Sequence, residues 1–353
     1  MLTDHNIYYF SSLLFGSFII TYCIKLSISK IYFLTEGLKD NSRKIHSERV
    51  VRIGSLSFIL LSLAIFKIED TQLINILFLS FLFFLIGFIE DITNSFSYLN
   101  RLIFILFFII FFVAYNNFIL DSFDNIVLDK IFLESNVFLY LFSIIGLLII
   151  INGFNFIDGL NGLLFGNAIL ILLVYFFSSY THSYEISLIC FSTICVIIPI
   201  AIFNLKFGTI LAGDSGAYFL GTLIGTMSIL LANNNILTAF EIAFFISYPA
   251  TELIFTGFRR IFNGRNPFKP DGLHLHQLLY RTYVNYVSDK KIDLLNKFLN
   301  NISSFTILIA LSCLFITHYF LKDLVGLELF LFLNISIYFF SYYLLYRNLK
   351  NYL

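Results

Sequence analysis

The sequence predicts an all-α, polytopic integral membrane protein of about eleven transmembrane helices, with its N-terminus outside and its C-terminus cytoplasmic. Three observations carry this. First, 59% of the 353 residues are hydrophobic and 12% are charged, where a soluble domain carries roughly 25% charged residues. Second, the mean hydropathy is +0.88, and the apolar residues gather into runs close to the ~20 needed to cross a bilayer. Third, Lys and Arg fall almost entirely on one side of the layout those runs imply, as the positive-inside rule requires.

In chain order the runs are 7–29, 53–68, 72–91, 101–117, 137–152, 162–180, 186–204, 210–232, 237–259, 302–321 and 325–346. The first follows MLTDHNIYYF, which has no basic n-region and no small-residue cleavage site, so it reads as a retained helix and not a signal peptide. The second and fifth are short for a span, which leaves their ends loosely defined. The third closes on GFIED and the fifth runs into NGFNFIDGLNG. The sixth is LLFGNAILILLVYFF, the eighth opens near GDSG, and the ninth carries Pro249. The polar links are short except 30–52 and 260–300, so residues 1–353 read as one transmembrane domain without internal repeats. Cys23, Cys190, Cys195 and Cys313 lie inside apolar runs, with no CxxC spacing, and suggest neither disulfides nor a thiolate metal site. Trp is absent, so the 21 Tyr must supply any interfacial belt. A formal net charge of zero gives no reason to expect nucleic acid as a partner.

With the links after runs 1, 3, 5, 7 and 9 and the C-terminus on one side, that side holds every basic residue except Lys67, Lys130 and Lys322. It is therefore assigned to the cytoplasm. The unusual polar clusters follow the same odd-numbered runs: RKIHSERVVRIG, GFIED, NGFNFIDGLNG, FNLKFGTILAGDSGAYFLG and TELIFTGFRRIFNGRNPFKPDGLHLHQLLYR. Segments 30–52, 87–101, 152–162, 204–216 and 259–300 are thus expected to build one composite site on the cytoplasmic face.

Each cluster also has a plain structural reading. Glu90 and Asp91 can end a helix at the headgroups, and Asp158-Gly and Asn161-Gly are ordinary turn pairs. Asp214 can cap a helix. His274 and His276 can be interfacial, and the basic residues can be topology determinants. Their convergence favours a site, because carboxylates at membrane depth are costly. Asp91, Asp158 and Asp214 with Asn155 offer the hard oxygens that Mg²⁺ prefers. Gly213, Ser215 and Gly216 let backbone N–H groups approach an anion. Arg43, Lys44, Arg52, Arg259, Arg260 and Arg265 can hold phosphates, and His274 and His276 can donate to them. An acidic centre ringed by bases suits phosphoryl transfer. The sequence has no GxSxG, no Cys near a His, and no GxxxxGK[ST], so neither acyl transfer nor ATP use is suggested.

Five motifs, in order over residues 43–283, resemble the polyprenyl-phosphate N-acetylhexosamine-1-phosphate transferases. NGFNFIDGLNGL resembles that family's NxxNxxDGxDGL signature, and AGDSGAYFLG its GDxGxxxLG segment. GFIED, PDGLHLHQLLYR and RKIHSERVVRIG are similar to its acidic pair, His-rich loop and first basic loop. The resemblance implies Mg²⁺-dependent transfer of sugar-1-phosphate from a UDP-N-acetylhexosamine to polyprenyl phosphate, releasing UMP, with Mn²⁺ as an alternative cation. It implies a bacterial inner-membrane enzyme whose cytoplasmic site opens to the bilayer, and it leaves a homodimer open. By the same resemblance Asp214 would be the main metal ligand with Asn155 beside it. Glu90 and Asp91 would activate the lipid phosphate or support the metal, and Asp158 and Asn161 would line the nucleotide pocket with Asn152 nearby. Arg43, Lys44, Arg52, Arg259 and Arg260 would bind substrate, and His274 and His276 would hold the diphosphate or sugar. Asn204 sits before the metal Asp, and Glu252 matches an acidic position of the ninth helix.

Three departures bear on the substrate. The acidic pair is Glu90–Asp91 where the family has Asp-Asp, Asn161 replaces the second Asp of the signature, and Gln277 replaces a third His. The last two argue against the muramoyl-pentapeptide branch and favour surface polysaccharide or O-antigen assembly, leaving the hexosamine open. A transporter would place polar helix breaks near the bilayer midplane with inverted repeats, which this sequence lacks. An inactive scaffold relative is the other rival, hinted at only by Asn161 and Gln277.

Overall fold

The computed structural model describes residues 4–27, 35–36, 50–93, 97–132, 135–266, 272–287, 289–322, 324 and 326–350. The helices are α1 (Asp4–Ser27), α2 (Thr71–Thr93), α3 (Tyr98–Asn116), α4 (Ile126–Phe132), α5 (Asn136–Ile157), α6 (Leu163–Ser179) and α7 (Tyr184–Phe207). They continue with α8 (Gly213–Asn233), α9 (Ala239–Phe245), α10 (Ser247–Phe262), α11 (Leu275–Asn285), α12 (Asp289–Leu321) and α13 (Leu327–Leu349). Gly54–Lys67 is a 3₁₀ helix, and the strands are only the antiparallel pair β1 (Thr35–Glu36) and β2 (Val50–Val51). The protein is all-α and polytopic. Every predicted run corresponds to one of these elements.

Among the described residues, eight helices are long and apolar enough to cross a membrane, or nine if α9 and α10 form one bent span. The departures from expectation have local causes. The second run is 3₁₀ and not α. Its buried positions Ser55, Phe58, Leu61 and Ala64 recur every third residue, the spacing that eclipses on a three-residue turn. At a ~2.0 Å rise the 14 residues reach about 28 Å, close to the ~30 Å of hydrocarbon. The fifth run is not short: α5 continues to Ile157, and Asn152 stays helical by turning its amide back onto the Leu148 carbonyl at 2.8 Å. The sixth run is the shorter one, with 17 residues in α6. The ninth run bends by 71° between α9 and α10. Pro249 cannot donate to the Phe245 carbonyl, which is where α9 ends. α4 and α11 are short helices in segments expected to be loops.

α8 is the axis of the bundle, buried along nearly its whole length and packed against α2 and α5. Gly87 of α2 lies against the backbone of Asp214 and Ser215, so no side chain fits there; small residues are what let membrane helices approach closely. α7 packs on α1 and α6. α1, α3, α12 and α13 turn most of their length outward, with Phe107, Phe111, Ile309 and Phe332 among the exposed apolar side chains.

Polar contacts sort the helix ends into two rims. At one, Lys67 donates to Asn6, Glu185 accepts from the Glu69 and Asp70 amides, Asp121 donates through its amide to Asn233, and Lys322 lies 3.7 Å from Glu241. At the other, the ends of α2, α5 and α7 meet the starts of α3 and α8 and the residues around α11. All the described polar clusters singled out in the sequence lie at this second rim.

Candidate active site

The site is organised by the start of α8. Gly213 has φ +73°, a conformation that favours glycine, and a side chain there would strike the Arg52 carbonyl and lie 2.5 Å from Asp91 Oδ2. Without one, α8 begins directly beneath the end of α2. The buried Asp91 carboxylate accepts from the Asp214 amide at 2.9 Å, the Ser215 amide at 3.0 Å and the Ser215 hydroxyl at 2.7 Å. It therefore caps α8 from another helix, where a negative charge also complements the helix dipole. Ser55 Oγ pairs with Ser215 Oγ at 2.7 Å and ties the 3₁₀ segment to the same point.

This clamp turns the Asp214 side chain into a cavity of about 380 Å³, lined also by Arg52, Tyr98, Arg101, Asn155, Asp158, Arg260, His274 and Gln277. Asp214 Oδ1 accepts from Asn155 Nδ2 at 2.8 Å, and Oδ2 accepts from Arg101 Nη1. Glu90 Oε1 stands 3.9 Å from the same Arg101 nitrogen. Asp158 follows the end of α5, in the cavity wall. Burial pushes its carboxyl up to about 7, with the Asp214 charge adding to the shift and Arg52 opposing it.

The opposite wall comes from α10 and α11. The Arg260 guanidinium lies 5.7 Å from the Phe156 ring centroid. His274 precedes α11 and faces Phe156 edge-on, while the His276 ring lies behind it, parallel and 5.5 Å away. Buried Glu252 of α10 meets His274 Nδ1 at 2.9 Å.

The predicted residues thus divide. Arg52, Asn155, Asp158, Asp214, Arg260 and His274 are brought together around one cavity. Asp91 and Glu90 sit beside it, one clamping α8 and the other alongside Arg101. Others stand apart from the cavity lining. Asn161 was expected on the nucleotide wall, but its amide N–H and side chain bond to Asn300 and Asn301 of α12, at 2.7 and 3.0 Å. Asn204 accepts from the Gly162 amide at 2.5 Å and donates to the Ile210 carbonyl at 2.6 Å, so it fastens the same turn to α7. Asn152 is satisfied within α5. Arg259 reaches the Leu273 carbonyl and the Tyr342 hydroxyl, pinning the chain before α11. His276 is fully buried against Gly159, and burial pushes its imidazole down to about 3, which leaves it neutral. Arg43 and Lys44 lie outside the described residues.

Arg101 is the residue that the sequence reading passed over, although segment 87–101 ends on it. The signal was there: it is the only basic residue in the run 98–116, in the first turn of a helix starting at the charged rim.

Among the described residues, no three His, Cys, Asp or Glu side chains gather as an all-protein cation cage. The donor set is small and hard: Asp214, with Asp158 and the Asn155 amide beside it. That set suits Mg²⁺, which keeps several waters and completes its shell with substrate phosphates.

Comparison with known proteins points the same way as the motifs. Residues 73–232 match glycosyl transferase family 4. An undecaprenyl-phosphate alpha-N-acetylglucosaminyl 1-phosphate transferase of Thermotoga maritima is 27% identical over 268 residues, 75% of this chain and 79% of that protein. The enzyme of the same name from Yersinia pestis is 31% identical over 147 residues, 37% of this chain and 38% of its own length. A phospho-N-acetylmuramoyl-pentapeptide-transferase of Lactiplantibacillus plantarum is 30% identical over 137 residues, 38% of this chain and 42% of that protein.

Proposed function

Because the chain belongs, through residues 73–232, to glycosyl transferase family 4, we propose that it transfers a sugar-1-phosphate from a nucleotide sugar to a polyprenyl phosphate. The finer reading is a UDP-N-acetylhexosamine donor, undecaprenyl phosphate as acceptor, UMP as product, and Mg²⁺ as cofactor, initiating a lipid-linked surface polysaccharide such as an O-antigen. The observation that carries it is Asp214. It is a carboxylate at the start of a buried membrane helix, facing a cavity that also presents Arg52, Arg101 and Arg260. Carboxylates in that setting are functional by default, and three guanidiniums around them match phosphate recognition.

Asp214 and Asn155, with Asp158 nearby, would hold Mg²⁺, which supplies charge neutralisation between phosphate oxygens. The remaining work falls to the chain's own groups. Arg52, Arg101 and Arg260 bind and align phosphate oxygens. Asp91 keeps Asp214 in place by capping α8. With Asp91 committed to three donors, Glu90 is the member of the acidic pair left to act on the lipid phosphate. That phosphate has a second pKa near 6 and is already largely dianionic at neutral pH, so Glu90 serves chiefly to position it and Arg101. The site's place at helix ends lets a lipid acceptor arrive from the bilayer while a soluble donor arrives from water.

The test is UMP release by purified protein in nanodiscs, with a panel of UDP-sugars, undecaprenyl phosphate and Mg²⁺. UMP and a lipid-linked sugar diphosphate should form together with at least one donor. Asp214→Asn should lose more than about 100-fold while keeping its folded elution profile. Absence of UMP with every donor would sink the transferase reading and favour a scaffold, and substrate uptake into vesicles would favour a transporter.

A further inference from the structure

We propose that Glu252 is a positioning residue that sets the tautomer and charge of His274, so that His274 presents an N–H to the donor's phosphate; this rests on the transferase reading above. Glu252 is fully buried in α10, just past the 71° break. Its Oε1 lies 2.9 Å from His274 Nδ1, and its two oxygens lie 3.4 and 3.3 Å from the Leu275 amide. Leu275 is the first residue of α11, and His274, at the N-cap, offers no side-chain cap of its own. One carboxylate from α10 therefore both caps α11 and grips the imidazole that precedes it. Phe156 edge-on and His276 in parallel fix the plane of the ring.

The chemistry follows from what a carboxylate can accept. Ionised Glu252 has no proton to give, so Nδ1 carries the hydrogen in that bond. Nε2 is then the nitrogen a cavity ligand can reach. In a neutral ring with Nδ1–H, Nε2 would turn a lone pair toward the ligand, which suits no phosphate oxygen. In the imidazolium Nε2–H is a donor, and a buried carboxylate at 2.9 Å favours that form. The other groups around the ring act in both directions. Arg260 from α10 and Arg52 and Arg101 across the cavity oppose a further cation, whereas Asp158 and Asp214 in the same wall support it. His276 behind the ring is neutral, Arg259 is held by Leu273 and Tyr342, and Tyr248 and Tyr338 flank Glu252. The carboxylate is the one anion in hydrogen-bond contact with the ring, so it decides the balance, and a phosphate arriving at Nε2 reinforces it.

The test measures UDP-GlcNAc and uridine affinity by calorimetry in nanodiscs with Mg²⁺, from pH 5.5 to 8.5, for wild type, Glu252→Gln, Glu252→Asp, His274→Gln and the Glu252→Gln/His274→Gln pair. Wild-type affinity for UDP-GlcNAc should be flat up to neutral pH. Glu252→Gln should match it at the acid end and fall about tenfold for each pH unit above the ordinary imidazole pKa of ~6.5. Glu252→Asp should restore most of the flat profile, the pair should bind no more weakly than His274→Gln alone, and uridine should bind all variants alike. A loss in Glu252→Gln that is equal at every pH, extends to uridine and adds to that of His274→Gln would overturn the proposal. If Glu252→Gln does not fold, ¹⁵N-histidine NMR of the wild type decides: the signal absent from His274→Gln should be an imidazolium at pH 7, and a neutral ring refutes the assignment. A wild type that neither binds UDP-GlcNAc nor turns over fails the transferase reading itself. A wild type that does both while Glu252→Gln stays flat fails only the role of Glu252.

Discussion

At the scale of single residues, the centre of the site is a carboxylate already satisfied by the protein. Asp214 holds Arg101 on one oxygen and Asn155 on the other. A divalent cation must therefore compete with a guanidinium for Asp214. Arg101→Met is expected to bind Mn²⁺ more tightly than wild type in the absence of nucleotide, read by electron paramagnetic resonance, while turning over more slowly because a phosphate-aligning group is gone. Weaker Mn²⁺ binding in that variant would show that Arg101 supports the cation instead. Asp158 gives a pH signature. Its carboxyl is pushed up to about 7 from a usual ~3.9. Between those values the folded protein holds a proton that the unfolded chain has lost, so stability falls as pH rises through the window. A bound cation favours the ionised form and lowers that pKa. The rise in Tm on adding Mg²⁺ should therefore be larger at pH 8 than at pH 5.5, and an equal rise at both would remove Asp158 from the cation's neighbourhood. Neither effect was legible in the sequence, because Arg101 lies in an apolar run and carries no motif.

At the scale of elements, apolar length and end chemistry were legible, while helix type and bending were only partly so. The period of three in Ser55, Phe58, Leu61 and Ala64 was present to be read, but the run was long enough to pass as an α-helix. Pro249 marked the α9–α10 break, whose 71° angle depends on packing that no local pattern carries. The signature at 152–162 shows the same split. Its first half builds the cavity, through Asn155 and Asp158. Its second half is a joint: Asn161 is tied to Asn300 and Asn301, and Asn301 donates on to the Leu205 carbonyl at 3.0 Å. Sequence spacing could not distinguish the halves, since the partners in α12 lie some 140 positions away. Asn161→Asp would replace the donor to Asn301 with a buried carboxylate. It should cost about 1–3 kcal/mol of stability, seen as a lower Tm, and leave donor affinity nearly unchanged. A selective loss of donor affinity at unchanged Tm would return Asn161 to the nucleotide wall.

At the scale of the whole molecule, alternation of helix ends was the most readable feature, because charge marks it independently of helix shape. The start of α1, the end of the 3₁₀ helix and the start of α7 share one rim through Lys67, Asn6 and Tyr184. The ends of α1 and α7 approach at the other, where Lys25 stands 4.5 Å from the Phe207 ring. Arg52, Arg101, Lys206, Arg260 and Arg265 cluster with that second rim, and Lys67, Lys130 and Lys322 with the first. Moving basic side chains across a bilayer opposes insertion, so the second rim is expected in the cytoplasm. A 3₁₀ helix, the short α6 and a bent span leave the number of crossings dependent on how each sits in lipid, so the prediction turns on sides and not on counting. Single cysteines at the exposed positions 234 and 265, in a chain whose four native cysteines are replaced, separate the alternatives. An impermeant maleimide added outside intact cells should label Asn234→Cys and leave Arg265→Cys untouched, with the pattern reversed in inverted vesicles. Labelling of both from one side would mean that one of these three irregular elements fails to cross. Labelling of Arg265→Cys alone from outside would place the cavity on the outer face, beyond the reach of a cytoplasmic nucleotide sugar, and would remove the donor from the proposed reaction.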